Sequence, residues 1–323
     1  MSGIDIRAVA KAEVHVHLEG CFTTDTLAAL ATRYGEALPR PQQELFRFSG
    51  FDQFLDFLSW SCGLLRTVDD VAAAAYAYAV RATASGVVRA DIIVNPTHWG
   101  AWHGNLSGLI DALDRGFTDA ETDRLARVGV CISILRQQTA AEAMQLVDGL
   151  IELRHPRVVA LSIDGNEALS GRTGSRFADA FQAAGRAGLR RTVHAGESSG
   201  PEGVHDALDL LGADRIDHGV RAAEDPSLVA RLADSGVPLG ICPTSNLTLG
   251  VFPSLSQHPI EALREAGVRV TVNSDDPGFL DIDLAGEYER CIAAFDWTDD
   301  IVSELVANSL DVCFTEGTEP AHR

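Results

Sequence analysis

The sequence has 323 residues, of which 46% are hydrophobic, so it can form one large domain with a sizeable core or two ordinary domains. It contains 26 Lys and Arg residues and 46 Asp and Glu residues, which give a net charge of −20. This charge argues against nucleic acid or an anionic membrane as the main partner, because phosphate groups repel such a surface.

The ends and the cysteines indicate a protein of a reducing compartment. Residues 1–5 lack the basic and apolar pattern of a secretory signal, and the most apolar long stretch, residues 71–80, is far shorter than the ~20 residues of a membrane span. The six cysteines are scattered and form no Cys-x-x-Cys pair. We therefore expect free thiols and a cytoplasmic location.

Eight short apolar runs follow one another along the chain, at residues 12–17, 87–94, 128–135, 158–163, 191–194, 215–218, 238–242 and 268–273. Near-continuous apolar runs are typical of parallel strands buried on both faces. Helical patterns separate them at residues 174–187, 204–211, 226–235 and 259–266. The alternation predicts an α/β fold, a (β/α)8 barrel. A doubly wound open sheet is the alternative, but no Gly-x-Gly-x-x-Gly turn follows an early strand.

We expect one domain over residues 1–314 and a disordered tail over residues 315–323. Between the first two strands, residues 18–86 form a helical insertion, in which the apolar side chains from Phe46 to Trp60 have mostly the spacing of one amphipathic helix. Packing onto the core explains this spacing on its own. In a barrel, however, the segment lies in the first βα connection, where active sites form, so it is also a candidate lid over a planar ligand.

A His-x-His pair ends the first predicted strand, in the run Val14-His15-Val16-His17. Successive side chains of a strand point to opposite faces, so His15 and His17 share a face. Two imidazoles side by side suggest two ligands of one metal. The pair alone is weak evidence, and the rest of the chain must supply further ligands.

Polar clusters also follow the fifth, sixth and eighth predicted strands. They are His194-Ala195-Gly196-Glu197, Asp217-His218-Gly219 and Asn273-Ser274-Asp275-Asp276-Pro277. Burying such groups at the same end of four strands would be costly without a shared partner. Three imidazoles and a carboxylate suit zinc with an open position for water, whose pKa the metal lowers toward ~7. The remaining acidic and imidazole groups can then transfer protons or orient the water.

Together these clusters resemble, in order, the four motifs of the adenosine and adenine deaminases, a family of metal-dependent purine aminohydrolases. The resemblance runs over residues 12–277. It implies a (β/α)8 barrel with one metal ion per chain, in agreement with the strand pattern. The chain lacks the Cys-rich motif of the small zinc deaminases.

The resemblance also implies a role for each matching residue. Zinc, or alternatively Fe²⁺, would be bound by His15, His17, His194 and Asp275. The expected catalytic residues are Glu197, which would protonate N1 of a 6-aminopurine, and His218 and Asp276, which would hold and activate the hydroxide that attacks C6. The expected substrate contacts are Glu19, the backbone amide of Gly165 at purine N3, and a hydrophobic gate of Phe51, Phe54, Leu55 and Leu58.

Departures from the family pattern concern the substrate. Adenosine deaminases usually carry Asp at the position of Glu19, where it contacts a ribose hydroxyl, whereas adenine deaminases more often carry Glu. Asp217 also resembles the adenine branch, but residues 164–167 and 194–202 resemble the adenosine branch. Residues 95–99 match neither branch well. Nearby, His98, Trp99, Trp102 and His103 could line an unusual pocket or be ordinary loop side chains.

The function predicted first is zinc-dependent deamination of a 6-aminopurine nucleoside, adenosine or 2′-deoxyadenosine, with release of ammonia. Deamination of adenine or of a modified purine is the alternative, and a metal-dependent hydrolase of a non-purine substrate is a more distant one. A catalytically inert relative is disfavoured because Glu197, His218 and Asp276 are all present. The expected partner is a small purine, and the sequence leaves the oligomeric state open.

Overall fold

Eight parallel strands lie side by side in the order in which they occur in the sequence. They are β1 (Lys11–His17), β2 (Val87–Val94), β3 (Arg127–Leu135), β4 (Val158–Asp164), β5 (Arg190–Ala195), β6 (Arg215–His218), β7 (Leu239–Ile241) and β8 (Val270–Val272). This arrangement confirms the (β/α)8 barrel. The structure is a computed structural model that describes residues 3–48 and 51–317, without the side chains of residues 51 and 52.

Helices connect the strands and cover the barrel. They are α1 (Thr24–Tyr34), α2 (Phe51–Cys62), α3 (Val68–Ala84), α4 (Leu106–Thr122), α5 (Ala140–Leu153), α6 (Glu167–Ser170), α7 (Gly174–Arg186), α8 (Glu202–Asp206), α9 (Pro226–Ser235), α10 (Pro243–Thr248), α11 (Ile260–Glu265), α12 (Leu284–Phe295) and α13 (Asp299–Val312). Local sequence fixes several of their ends. Thr67 and Thr139 form capping boxes at the starts of α3 and α5, satisfying backbone N–H groups that have no partner within the helix.

The barrel closes where the end of β8 meets β1. Val16 pairs with Asp275, and the backbone N–H of His17 donates to the Asp275 carbonyl oxygen over 2.8 Å. The side-chain oxygen of Asn273 accepts from the backbone N–H groups of Val14 and His15. This seam therefore fixes the backbone of the His-x-His pair against the Asp275 backbone.

Three helices, α1 to α3, lie between β1 and β2. Phe46 and Phe48 precede α2 and do not belong to it, contrary to the single helical pattern in the sequence. Both contact Phe279 of the loop after β8, as do Phe54 and Phe57 of α2. This aromatic cluster holds α2 against the carboxyl-terminal end of the barrel.

The chain remains ordered beyond the expected domain boundary. Thr315 is buried, and its backbone N–H donates to Asp91 over 2.9 Å, where Phe314 also donates. Asp91 needs these donors because it is fully buried beside Arg215, 2.7 Å away. The expectation of a tail beginning at Thr315 is therefore wrong for this residue. Residues 318–323 of that tail lie outside the described residues.

All six cysteines are free thiols, as expected. Among the helices of the described ranges, none combines the length and the apolar character needed to span a bilayer.

Candidate active site

Four predicted metal ligands converge at the carboxyl-terminal ends of β1, β5 and β8. The Nε2 atom of His194 lies 3.1 Å from Nε2 of His15 and 3.0 Å from Nε2 of His17. Oδ1 of Asp275 lies 3.4 Å from Nε2 of His15 and 3.5 Å from Nε2 of His17. The structure thus brings together side chains separated by up to 260 positions in the sequence.

The spacing of these atoms fits one tetrahedral metal ion. Ligands bound at 2.0–2.1 Å around a tetrahedral centre lie about 3.3–3.4 Å from one another, close to the separations in this cluster. Where Nδ1 carries the ring proton, Nε2 atoms that face each other at this distance repel through their lone pairs unless a shared cation lies between them. The residues present therefore fit a metal of the zinc type.

Contacts behind the histidines favour the same assignment. Nδ1 of His15 lies 2.8 Å from the carbonyl oxygen of Gly240. A carbonyl oxygen can only accept a hydrogen bond, so Nδ1 carries the ring proton and Nε2 keeps its lone pair. Oδ2 of Asp217 lies 3.4 Å from Nδ1 of His194, a looser contact of the same kind. The resemblance gave Asp217 no role, and the structure places it behind a ligand.

A second possible ligand group shares His15 and Asp275 but adds His218 and Cys242. The Cys242 sulfur lies 3.4 Å from Nδ1 of His15, on the side that the Gly240 carbonyl already engages. Burial raises the pKa of the Cys242 thiol well above its usual range, which disfavours the thiolate that a metal needs. The first group is therefore the better metal site.

The three predicted catalytic residues line one cavity beside this cluster, together with Glu19 and Gly165. Nε2 of His218 lies 3.4 Å from Oε1 of Glu197. Burial, helped by the charges of Asp275 and Glu167, raises the pKa of Glu197 to about 8. Glu197 is thus protonated at neutral pH, as a general acid requires. Burial and the neighbouring Asp275 also raise the pKa of Asp276.

Backbone conformation at the site is unusual. His218 has a φ of 67° and Asp275 a φ of 62°, both in the left-handed region that side chains other than glycine rarely adopt. Such strained residues persist only where the surrounding structure holds them, and they cluster at functional sites. Gly20, after β1, lies so close to Asp276 that a Cβ there would be 1.9 Å from Oδ1.

Three of the four predicted gate residues, Phe54, Leu55 and Leu58, line the cavity from α2. The fourth, Phe51, has its side chain outside the described residues. Gly165 lies across the cavity after β4, with a φ of 100°. The apolar helix and the glycine loop thus both contribute to the lining of this cavity.

Glu19 is buried in the wall of the cavity, and one of its oxygens is fully engaged. Oε1 accepts from the backbone N–H of Asn95 and from Nε1 of Trp99, each over 2.7 Å. Oε2 is also buried but has no hydrogen-bond partner among the described residues. Burial raises the pKa of Glu19 to about 7, although the hydrogen bonds from Trp99 and Asn95 lower it.

The aromatic loop after β2 divides into two parts. His98 lines the cavity, and its Nδ1 lies 3.0 Å from Oγ of Ser59, whereas Trp99 acts behind the cavity by holding Glu19. Trp102 donates to the carbonyl oxygen of Leu65, and His103 is exposed. The possible pocket of four side chains is therefore reduced to His98, with Trp99 as a support.

Sequence reasoning missed Glu167, which the structure places beneath the Glu197 loop. Its Oε1 accepts from the backbone N–H of Gly196, and its Oε2 accepts from those of Glu197, Ser198 and Ser199, over 2.9 to 3.3 Å. A buried carboxylate on four backbone amides fixes the loop that carries Glu197, the predicted general acid. In the sequence, Glu167 was noted only as part of residues 164–167, which resemble the adenosine branch of the family.

The fold and the convergent ligand set define a barrel enzyme with a metal-binding constellation at the carboxyl ends of its strands. The chain belongs to the adenosine deaminase family, because the family model described as "Adenosine deaminase" matches residues 10–321. It is therefore a hydrolytic deaminase, and the predicted family and reaction class are confirmed.

Relatives and solved structures agree with the family. An adenine deaminase of Streptomyces coelicolor is 34% identical over 313 residues, which are 96% of this chain and 91% of that protein. The crystal structure of an adenine deaminase from Arthrobacter aurescens has a TM-score of 0.89 at 31% identity, covering 95% of this chain and 94% of that one. An amidohydrolase from Burkholderia ambifaria with bound Zn has a TM-score of 0.88 at 30% identity, covering 96% and 87%.

The names of these relatives bear on the two substrates that the sequence left open. The relatives from Streptomyces coelicolor and Arthrobacter aurescens are both named adenine deaminase. Further proteins of that name match over almost the whole chain at 36% identity. They favour the alternative prediction, adenine, over the nucleoside that was predicted first.

Proposed function

We propose that this enzyme is an adenine deaminase, which hydrolyses the C6–amino bond of the free base. Adenine and water give hypoxanthine and ammonia. The observation that carries the proposal is Glu19, whose second carboxylate oxygen is buried in the cavity wall without a partner among the described residues. Leaving such an acceptor unpaired costs about 1–3 kcal/mol, so a donor on the ligand is expected there.

A free base carries the donor that this oxygen needs. The imidazole ring of adenine has an N–H group, which in a nucleoside is replaced by the bond to ribose. Trp99 and Asn95 occupy the first oxygen of Glu19, so the second oxygen is the one left to accept from the ligand. Glu19 therefore favours the base.

The size of the cavity also supports the base. Its volume is about 60 Å³, room for about four to six waters when one water needs about 10–15 Å³. A purine base can replace that many waters. A ribose would need further space, on the side where Phe54 and Leu58 line the cavity.

We propose zinc as the metal, held by His15, His17, His194 and Asp275, as their donor atoms and spacing favour. The amidohydrolase with bound Zn that is 30% identical to this chain supports this choice. When bound, a metal of this kind lowers the pKa of water toward ~7 and supplies a nucleophile at neutral pH.

The chain's own residues do the remaining work. Glu197, protonated at neutral pH, gives its proton to N1 of the purine, which withdraws electrons from C6. The backbone N–H of Gly165 is the proposed donor to N3, and Phe54 and Leu58 exclude water from the ring faces. His218 and Asp276 orient and deprotonate the attacking water beside C6. Asp276 then gives the proton that it took from water to the amino group, the C6–amino bond breaks and ammonia leaves. The proton of the C6 hydroxyl returns to Glu197 as the C6 carbonyl of hypoxanthine forms.

A pair of closely matched substrates tests the role of Glu19. Adenine and 9-methyladenine differ by one methyl group, and only adenine has the N9–H. We expect the zinc-loaded enzyme to prefer adenine by about tenfold to a hundredfold in kcat/KM, the value of one hydrogen bond to a charged group. In Glu19→Gln, Trp99 and Asn95 keep the oxygen, so the amide nitrogen faces the cavity and the preference should disappear.

The outcomes are distinct. Equal rates on both bases in the wild type would contradict the assignment of Glu19. Faster turnover of adenosine than of adenine would contradict the proposed substrate and favour the nucleoside that was predicted first.

A further inference from the structure

A buried chain of hydrogen bonds leads from the start of α11 to His218. The backbone N–H of Ile260 donates to Nδ1 of His258 over 3.2 Å. Nε2 of His258 lies 3.1 Å from Oδ1 of Asn246, and Nδ2 of Asn246 lies 3.4 Å from Nδ1 of His218. The four residues are all buried, with exposed fractions of 4% or less.

The direction of every hydrogen bond follows from the first one. A backbone N–H can only donate, so Nδ1 of His258 is an acceptor and Nε2 carries the ring proton. That proton is donated to Oδ1 of Asn246, which leaves the Asn246 amide nitrogen facing His218. An amide nitrogen can only donate, so Nδ1 of His218 accepts and its proton is on Nε2.

The opposite assignments conflict with the same contacts. Turning the Asn246 amide over would set its NH₂ group against the N–H of His258, two donors face to face. A doubly protonated His218 would set its Nδ1–H against the Asn246 NH₂ in the same way. On its other side, Nε2 of His218 faces Oε1 of the Glu197 carboxylic acid at 3.4 Å and Oδ2 of the Asp275 carboxylate, an acceptor, at 3.9 Å.

We propose that Asn246 and His258 are positioning residues that hold His218 as its Nε2–H tautomer. His218 then donates a hydrogen bond to the attacking oxygen and cannot take its proton. This division of roles rests on the proposed function. Water adds its oxygen to C6, the proton that it loses goes to the carboxylate of Asp276, and Glu197 gives a proton to N1.

Placement in the fold explains why the chain can hold His218 firmly. Asn246 lies in α10, directly after β7, and His258 lies just before α11, whose first N–H groups have no partner within the helix. The backbone N–H of Ile260 is therefore a fixed donor. The buried side chains of His258 and Asn246 pass the hydrogen-bond direction that it sets on to His218 at the carboxyl-terminal end of the barrel.

The tautomer can be observed directly by NMR. In zinc-loaded, full-length protein labelled with ¹⁵N-histidine, long-range ¹H–¹⁵N spectra distinguish a ring protonated on Nε2 from one protonated on Nδ1. His218→Gln identifies the signals of that ring. We expect Nε2–H in the wild type. In Asn246→Asp the new carboxylate accepts from Nδ1, so Nδ1 should become protonated.

Kinetics separate positioning from a merely structural role. We expect Asn246→Asp to lower kcat on adenine by about 10²-fold, the smaller end of the range for acid–base groups, with the Kd of hypoxanthine nearly unchanged. His258→Phe keeps a ring but removes the donor to Asn246, so it should loosen the tautomer preference and lower kcat in the same direction. It also provides a second variant if Asn246→Asp does not fold.

His155 offers a matched control. Its Nδ1 accepts from the backbone N–H of Arg157 over 3.1 Å, the same local motif as in His258, but its Nε2 faces Asp111 and Asp114 away from the site. His155→Phe should leave the His218 tautomer and kcat unchanged.

Two results would overturn the proposal: a His218 ring that is protonated on Nδ1 in the wild type, or an unchanged tautomer in both Asn246→Asp and His258→Phe. The spectra need no substrate. An enzyme that shows the expected tautomer but does not deaminate adenine would therefore refute the proposed function and leave the positioning role standing.

Discussion

Replacing Gly20 with Ala adds one methyl group beside Asp276 and so tests whether the position of the Asp276 carboxylate matters for catalysis. The new Cβ would lie 1.9 Å from Oδ1 of Asp276 and 2.5 Å from its Cβ and Cγ, whereas carbon atoms in contact are about 3.5–4.0 Å apart. Asp276 must therefore move by about 1 Å or more. Misplacing a catalytic group by about 1 Å can cost about 10²-fold in rate, so we expect kcat to fall by about that factor.

The assay is steady-state release of ammonia from adenine, with bound zinc measured by mass spectrometry in the same samples. The metal content of Gly20→Ala should stay at that of the wild type, because the three atoms nearest to the new methyl group all belong to Asp276, which is not one of the four ligands. Gly100→Ala is the control, since a Cβ there has nothing within 4 Å. A Gly20→Ala enzyme that keeps at least half the wild-type kcat would refute the reasoning about Asp276.

Three further predictions follow from the site and the core. The proposed general acid, Glu197, must be protonated to act, and its pKa is raised to about 8. We therefore expect kcat/KM to be constant below pH 8 and to fall as the pH rises through this pKa. Glu197→Gln should lower kcat/KM by about 10²-fold or more and remove the decrease at high pH. Chelation should abolish turnover and added zinc restore it, whereas Asp275→Ala should bind less than one zinc per chain even when zinc is added. Asp91→Ala removes the closer of the two carboxylates paired with the buried Arg215 and leaves it only Asp217 at 3.4 Å, so urea unfolding should show a loss of about 3–5 kcal/mol. The exposed Asp209→Ala should cost under about 1 kcal/mol.

The strands could be predicted because a parallel strand buried on both faces leaves a continuous apolar run in the sequence. The predicted ends of β2 and β6 coincide with the observed ones. The run 268–273 was too long for β8, because the N–H of Val268 donates to the carbonyl oxygen of Leu263 and closes α11. The helical pattern 204–211 gave no sign that α8 continues as a π-helix over Ala207–Leu211, since a single turn is too short to show its longer period in the sequence.

The candidate site was predictable where several chemical groups follow one strand, as at His15 and His17 or at Asp275 and Asp276. Such residues share a position because strand ends meet at one edge of the barrel. Glu167, Asn246 and His258 could not be found in this way. Each is an ordinary residue in its local sequence, and its contact with the site exists only after helices α6, α10 and α11 are placed by the fold.

The most direct test of the account compares adenine with adenosine. Zinc-loaded enzyme is given each substrate separately, and kcat/KM is measured from the release of ammonia, with hypoxanthine or inosine identified by chromatography. A buried Glu19 with an unpartnered oxygen in a cavity of about 60 Å³ predicts hypoxanthine from adenine and little or no inosine from adenosine. A kcat/KM for adenosine equal to or above that for adenine would contradict the account.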